Sequence, residues 1–160
     1  MKVIDNFLSD YNFKQLQSFI TAQEFPWYYY KGSVYETDKD YQFTTSFFIG
    51  GKKTVLFPVI EPCVQQLGAG NLIRIKANLQ IKTIFHRKQS YHVDYRNNPT
   101  VKTAILYINT NNGWTQFKKG GKVKSVENRI VIFDSNLEHR GVTCTDEDTR
   151  IVVNFNWHEK

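Results

Sequence analysis

The spacing of hydrophobic residues along the chain changes near residue 71. Before it, "SDYNFKQLQSFITA" (9–22) places Phe13, Leu16, Phe19 and Ile20 at intervals of three and four. That spacing predicts an amphipathic helix, with Ser9 or Asp10 as its cap. "FPVIEPCVQQLGAG" (57–70) predicts a second helix. Pro58 suits its first turn and the glycines suit its exit, although Pro62 blurs where it begins. Between the two, residues 24–49 are aromatic-rich and irregular. They are expected to form a partly ordered segment with strand-like pieces, lying over the core.

After residue 71 the period falls to two. "NLIRIKANLQIKT" (71–83) alternates, with Leu72, Arg74, Lys76 and Asn78 on one side and Ile73, Ile75, Ala77 and Leu79 on the other. "VKTAILYIN" (101–109) reads as a strand ended by "TNNG". "TQFKKGGKVKSV" (115–126) reads as a hairpin around Gly120 and Gly121. "RIVIFD" (129–134) and "RIVVNFNW" (150–157) are mostly apolar and are expected to be buried on both faces. Helices followed by many short strands predict an α+β chain, mainly β, with a sandwich or jelly-roll core that carries helices outside.

A chain of 160 residues is the size of one domain and can bury a real core without disulfides. Hydrophobic residues make up 41% and aromatics 15%, which excludes a disordered tail. The net charge of +6 permits anionic or nucleic-acid partners without requiring them. The only basic cluster, "FKKGGKVK" (117–124), reads as a solvated hairpin tip. Cys63 and Cys144 belong to no CxxC unit, so a cysteine zinc site is not expected, and two isolated thiols suit a cytoplasmic setting. The start "MKVIDNFLSD" lacks the apolar stretch of a signal peptide, and no apolar run is long enough for a membrane span.

The candidate chemistry starts at "QSYHVDY" (89–95). His92 and Asp94 are two apart, so an extended chain would project both to one face. Chance alone yields such a pair in roughly one comparable sequence in five. Two residues further along the chain give the pair meaning. His139 comes just after "RIVIFD", and Arg150 opens the last apolar strand. Two histidines and one carboxylate are the ligand set that holds non-haem Fe(II) and leaves positions open. A structural zinc site would take a fourth protein ligand, which nothing in the sequence demands, although His86 could supply one. Arg150 is either buried with an anionic partner, since a lone buried charge is costly, or exposed beside "DED" (146–148).

Taken together, "HVD" (92–94), "TAILYIN" (103–109), "NGWTQF" (112–117), "FDSNLEHRGV" (133–142) and "DTRIVVNFNW" (148–157) resemble the Fe(II)- and 2-oxoglutarate-dependent dioxygenases. The resemblance is to their prolyl-4-hydroxylase-like branch and its small phage and marine-microbial members, and it runs over about residues 71–157. It implies a double-stranded β-helix core, a jelly roll of cupin type, flanked by a helical and aromatic N-terminal part (1–70). It implies Fe(II) on His92, Asp94 and His139, with 2-oxoglutarate and O2 as co-substrates. Arg150 and Tyr107 would hold the C5 carboxylate of 2-oxoglutarate. Where many relatives carry a tyrosine on the first core strand, this chain has "ANLQ" (77–80), so Asn78 or Gln80 would take that place. Arg74 and Lys76 are either pocket wall or solvated strand face. Tyr91 and Tyr95 are read first as strand packing.

The resemblance implies hydroxylation of a C–H bond, on a prolyl group, another amino-acid side chain or a small molecule, with release of succinate and CO2. Two alternatives stand beside it. One is a dioxygenase of nucleic-acid bases, but those members carry a second arginine six residues after the first, where this chain has Asn156. The other is a metal-binding cupin without 2-oxoglutarate chemistry, against which Arg150 and Tyr107 speak together. The aromatic segment 24–49 and the loop "RNNPT" (96–100) are expected to cover the mouth of the site.

Overall fold

The computed structural model describes residues 1–32, 40–96 and 98–159. The chain begins with β1 (Lys2–Ile4), α1 (Asp10–Thr21), β2 (Tyr28–Lys31), β3 (Tyr41–Ile49) and β4 (Lys52–Lys53). There follow α2 (Phe57–Leu67), β5 (Asn71–Ile81), β6 (Val101–Tyr107), β7 (Trp114–Phe117) and β8 (Lys122–Lys124). The last strands are β9 (Ile130–Asp134), β10 (His139–Val142) and β11 (Thr149–His158). The large sheet runs β1-β9-β6-β11-β5-β3-β2, with β4 on β3, and the small sheet runs β10-β7-β8. Every strand pair among the described residues is antiparallel. The architecture is the mainly β, double-stranded β-helix type expected, with two helices outside.

Alternation decides what each face of the large sheet meets. Ile75 and Ala77 of β5, with Ile151, Val153 and Phe155 of β11, face the helices. There they pack on Phe13, Leu16 and Ile20 of α1 and on Phe57, Ile60 and Cys63 of α2. The opposite face contributes Ile105, Tyr107, Val131, Phe133 and Val152, which pack on Phe117 and Val123 of the small sheet. The same face carries polar residues of β5 and β11, among them Arg74, Lys76, Asn78, Gln80, Arg150 and Asn154. They line a cavity between the sheets.

Ser9 caps α1, its side chain accepting from the amide of Asn12. Pro58 lies in the first turn of α2, and Gly68 ends that helix at φ 63°. Pro62 is inside α2 rather than before it, near enough to the start that the helix continues through it. Gly120 and Gly121 turn the β7–β8 hairpin at φ 119° and 87°, a region that favours glycine.

Three features differ from the sequence-based expectations. The aromatic run contains a nine-residue strand, β3, hydrogen-bonded between β5 and β2. Its aromatic residues mask the alternation because Phe43, Phe47 and Phe48 are all apolar. "QSYHVDY" is not a regular strand; His92 makes one isolated bridge and the chain then bends. "HRGV" forms β10, too short to show a period. The expected cover over the mouth includes residues 33–39 and 97, which lie outside the described residues. Among the described residues, no helix is long and apolar enough to cross a membrane.

Candidate iron and 2-oxoglutarate site

His92 and His139 face each other across a bridge in which each amide donates to the other's carbonyl, at 3.0 and 2.9 Å. Such a pair brings the two backbones close and sets the imidazole rings side by side, 4.4 Å between centroids. Asp94 is tied in separately, its amide donating to the Ser135 carbonyl at 3.0 Å. One ligand atom from each of His92, Asp94 and His139 lies within 4.8 Å of the others. Main-chain hydrogen bonds thus bring together residues far apart in the chain.

The atoms that remain free suit a metal. Nδ1 of His139 donates to the Leu137 carbonyl at 2.9 Å, because a carbonyl can only accept. This fixes the tautomer and leaves Nε2 as the donor atom toward the site. Burial pushes the His92 imidazole below its ordinary pKa, and the neighbouring His139 adds to the shift, so the ring is held neutral with a free lone pair. Asp94 Oδ2 accepts from Thr103 Oγ1 at 2.8 Å and from Asn156 Nδ2 at 2.8 Å. Oδ1 is left to face His92 Nε2 at 3.7 Å, with Arg74 Nη2 3.8 Å away. Burial raises the pKa of this carboxyl, but His139, Arg74 and the Asn156 and Thr103 hydrogen bonds outweigh it and hold the group below the usual range. An ionised carboxylate with one free oxygen is a monodentate ligand in waiting.

His86 stands apart from this set. Its Nδ1 meets the Thr143 carbonyl at 2.7 Å and its ring packs on Trp114. Among the described residues no fourth His, Cys, Asp or Glu joins the three. Two imidazoles and one carboxylate with no fourth ligand fit an ion that keeps open positions, and do not fit a closed structural zinc site.

The cavity between the sheets has a volume of about 350 Å³ and is lined by the triad, Arg150 and Asn78 together with other polar residues. Arg150 is 3% exposed, which removes the reading of an exposed strand end. Its guanidinium donates to Ser125 Oγ at 3.0 Å, Gln80 Oε1 at 3.1 Å and Thr115 Oγ1 at 3.2 Å. All three acceptors are neutral. Among the described residues no carboxylate pairs with Arg150, so the fold buries a cation and leaves its charge unbalanced.

Tyr107 is fully buried behind the cavity wall. Its hydroxyl donates to Thr115 Oγ1 at 2.8 Å, and burial, partly offset by Arg150, pushes its pKa up so that it keeps the proton. Thr115, not Tyr107, reaches the cavity surface. Arg74 and Lys76 line the cavity rather than a solvated face, and Gln80 does so beside Asn78. Tyr91 packs under the Arg140 guanidinium, 4.1 Å from its ring, outside the cavity. Sequence reasoning missed Thr103, Ser125 and Thr115, and it noticed Asn156 only as the place of an absent arginine. Thr103 and Asn156 are register partners on β6 and β11, and their alternation toward the site was the available signal.

No protein-family model matches the chain, and no curated protein matches its sequence. Solved structures do match the fold. A prolyl-4-hydroxylase of Pseudomonas putida aligns with TM-score 0.65 and 15% identity, covering 99% of this chain and 92% of that one. A viral collagen prolyl hydroxylase of Paramecium bursaria chlorella virus 1 aligns with TM-score 0.58 and 15% identity, covering 99% and 90%. An α-ketoglutarate-dependent epimerase of nogalamycin biosynthesis, solved with Fe3+, α-ketoglutarate and a nogalamycin compound, aligns with TM-score 0.64 and 12% identity, covering 98% and 78%. The chain therefore has the double-stranded β-helix fold of the non-haem iron, 2-oxoglutarate-dependent oxygenases.

Proposed function

We propose that the protein is an Fe(II)- and 2-oxoglutarate-dependent oxygenase that hydroxylates a C–H bond of an amino-acid side chain, free or in a peptide, or of a small molecule. The observation that carries this reading is Arg150. It is buried, meets only neutral oxygens among the described residues, and lines the same cavity as a His-Asp-His cluster able to hold a metal. A site with an open metal face and an unbalanced cation in one cavity calls for a ligand that chelates at one end and carries a carboxylate at the other, and 2-oxoglutarate is such a molecule. Bound iron and 2-oxoglutarate would supply the oxidising chemistry, with succinate and CO2 as by-products.

The chain's own residues do the positioning. His92 Nε2, His139 Nε2 and Asp94 Oδ1 would hold the metal on one side and leave the other to co-substrate. Thr103 and Asn156 keep Asp94 Oδ2 occupied, so that one oxygen alone turns to the metal. Arg150 would take the C5 carboxylate with two parallel donors, oriented by Ser125, Gln80 and Thr115. In this reading Tyr107 acts on the carboxylate through Thr115, whose hydroxyl it orients, and Asn78 contributes to the cavity wall. The fold relatives named as prolyl hydroxylases favour a prolyl group, whereas the epimerase shows the same fold acting on a small molecule.

Anaerobic addition of Fe(II) and 2-oxoglutarate tests the proposal. The expected result is a weak visible charge-transfer band, abolished in His92→Ala and Asp94→Ala. In Arg150→Leu the band should survive but need about a hundredfold more 2-oxoglutarate, in line with loss of a buried charge-assisted pair. A wild-type protein without the band, and without succinate formed in air, would overturn the proposal.

A further inference from the structure

Among the described residues, four cationic side chains line the cavity, Arg74, Lys76, Arg96 and Arg150, against the single carboxylate of Asp94. A divalent metal and a dicarboxylate co-substrate, with Asp94 and Arg150, balance one another. The charge of the other three is left over. Arg74 leans toward Asp94, and Arg96 is exposed at the rim. Lys76 is different. It projects from the middle of β5 into the cavity, yet among the described residues its Nζ makes neither an ion pair nor a hydrogen bond. The ring of Tyr30 lies beside it, 5.8 Å from Nζ to the centroid. Burial, reinforced by Arg74 and only partly offset by the Asp94 carboxylate, lowers its pKa to about 8, so the ammonium is charged at neutral pH at a cost in stability.

A second observation lies across the strand boundary. Asn154 of β11 is the register partner of Lys76, and it lines the same cavity. Its Oδ1 is buried and, among the described residues, accepts no hydrogen bond. Most buried polar atoms are paired, and one that is not marks a missing partner. Among the described residues, a cation without an ion pair or hydrogen bond and an acceptor without a donor therefore stand on adjacent strands, in the cavity that also holds the triad. Tyr30, on the same side of the sheet through its pairing with Gln42, offers an aromatic wall beside them.

We infer that the primary substrate carries an oxyanion, a carboxylate or a phosphate, that sits on Lys76 beside Arg74, next to an N–H or O–H that donates to Asn154. Calling that ligand the primary substrate rests on the oxygenase reading; the anion seat itself does not. The seat narrows the substrate class to acid-bearing molecules, such as an amino acid with a free carboxylate, and disfavours a prolyl group inside a neutral peptide.

Calorimetry on the protein with Fe(II) and saturating 2-oxoglutarate, without oxygen, tests it with matched probes. N-acetyl-L-proline against its amide reads carboxylate, and ribose 5-phosphate against ribose reads phosphate. In at least one pair the anion should bind about tenfold or more tighter. Lys76→Met should erase that preference and Lys76→Arg should keep it, while both variants retain the charge-transfer band. No preference in either pair, no binding by either anion, or a preference that persists in Lys76→Met overturns the inference. So does loss of the band in Lys76→Met, which would assign the lysine to 2-oxoglutarate. If the wild-type protein forms no band, the oxygenase reading falls, and the same titrations still decide whether the anion seat exists.

Discussion

Gly113, just before β7, has no room for a side chain, because Arg150, Asn111 and the Val142 carbonyl all close in on it. A Cβ at this position would lie 2.8 Å from Arg150 Cδ, from Asn111 Oδ1 and from the Val142 carbonyl. All three must shift, and of them the arginine is the one that lines the cavity. Gly113→Ala should raise the dissociation constant for 2-oxoglutarate about tenfold, the equivalent of a modest overpacking strain, while metal affinity stays unchanged. Anaerobic titration of 2-oxoglutarate into the Fe(II) protein reads both quantities; an unchanged constant would show that Arg150 has slack. Residues of this kind were invisible beforehand. His92, Asp94, His139 and Arg150 could be picked out because few residue types bind metal or pair with a carboxylate. Gly113, Thr115 and Ser125 are ordinary residues whose task comes only from what lies beside them.

At the scale of elements, the turn between β8 and β9 holds the N-terminal segment in place. Asn128 sits there at φ 57°, buried, and its own carbonyl accepts from the Phe7 amide. Its side chain exchanges two hydrogen bonds with Leu8, at 2.9 Å each, so a residue 120 positions away completes the entry to α1. Asn128→Ala would strand the Leu8 amide and carbonyl and put a Cβ residue without local compensation in the left-handed region. We expect a loss of about 2–4 kcal/mol, and a smaller loss for Asn128→Asp, which keeps the acceptor. Urea denaturation checks this; equal stability of Asn128→Ala and wild type would mean that water satisfies Leu8. The two helices were legible from their apolar spacing and their caps, since a helix advertises its buried face within a dozen residues. Strand β3 was blurred by aromatic residues on both of its faces. Strand β10 was too short for any pattern, and its existence depends on β7.

Across the whole molecule, Lys76 links the cavity to stability. Its pKa is about 8 in the folded protein against 10.5 for an ordinary lysine. Below pH 8 the group is charged in both states, and the cost of burying that charge is present in full. Between pH 8 and 10.5 the folded protein has lost the proton and the unfolded chain still binds it, so stability contributed by this group rises with pH. Lys76→Met should therefore be more stable than wild type at pH 7, with an advantage that shrinks from pH 8 to 10.5. Thermal unfolding of both proteins over that range measures the difference; a constant advantage would place the Lys76 ammonium in contact with solvent.

The two helices, the alternation of β5 and the identity of the candidate ligand residues were set by the sequence, whereas the short strands before and between the helices were not. Each of the first three depends on local periodicity or on which side chains can do the chemistry at all. The tertiary structure alone decided that His92 reaches His139 through a two-hydrogen-bond bridge rather than along a strand. It also decided that Asn156 serves Asp94, that Tyr107 turns to Thr115, and that Arg150 is buried with no carboxylate partner among the described residues. These facts arise from register between strands far apart in the chain. Register is settled by the packing of whole sheet faces, and no local stretch of residues encodes it.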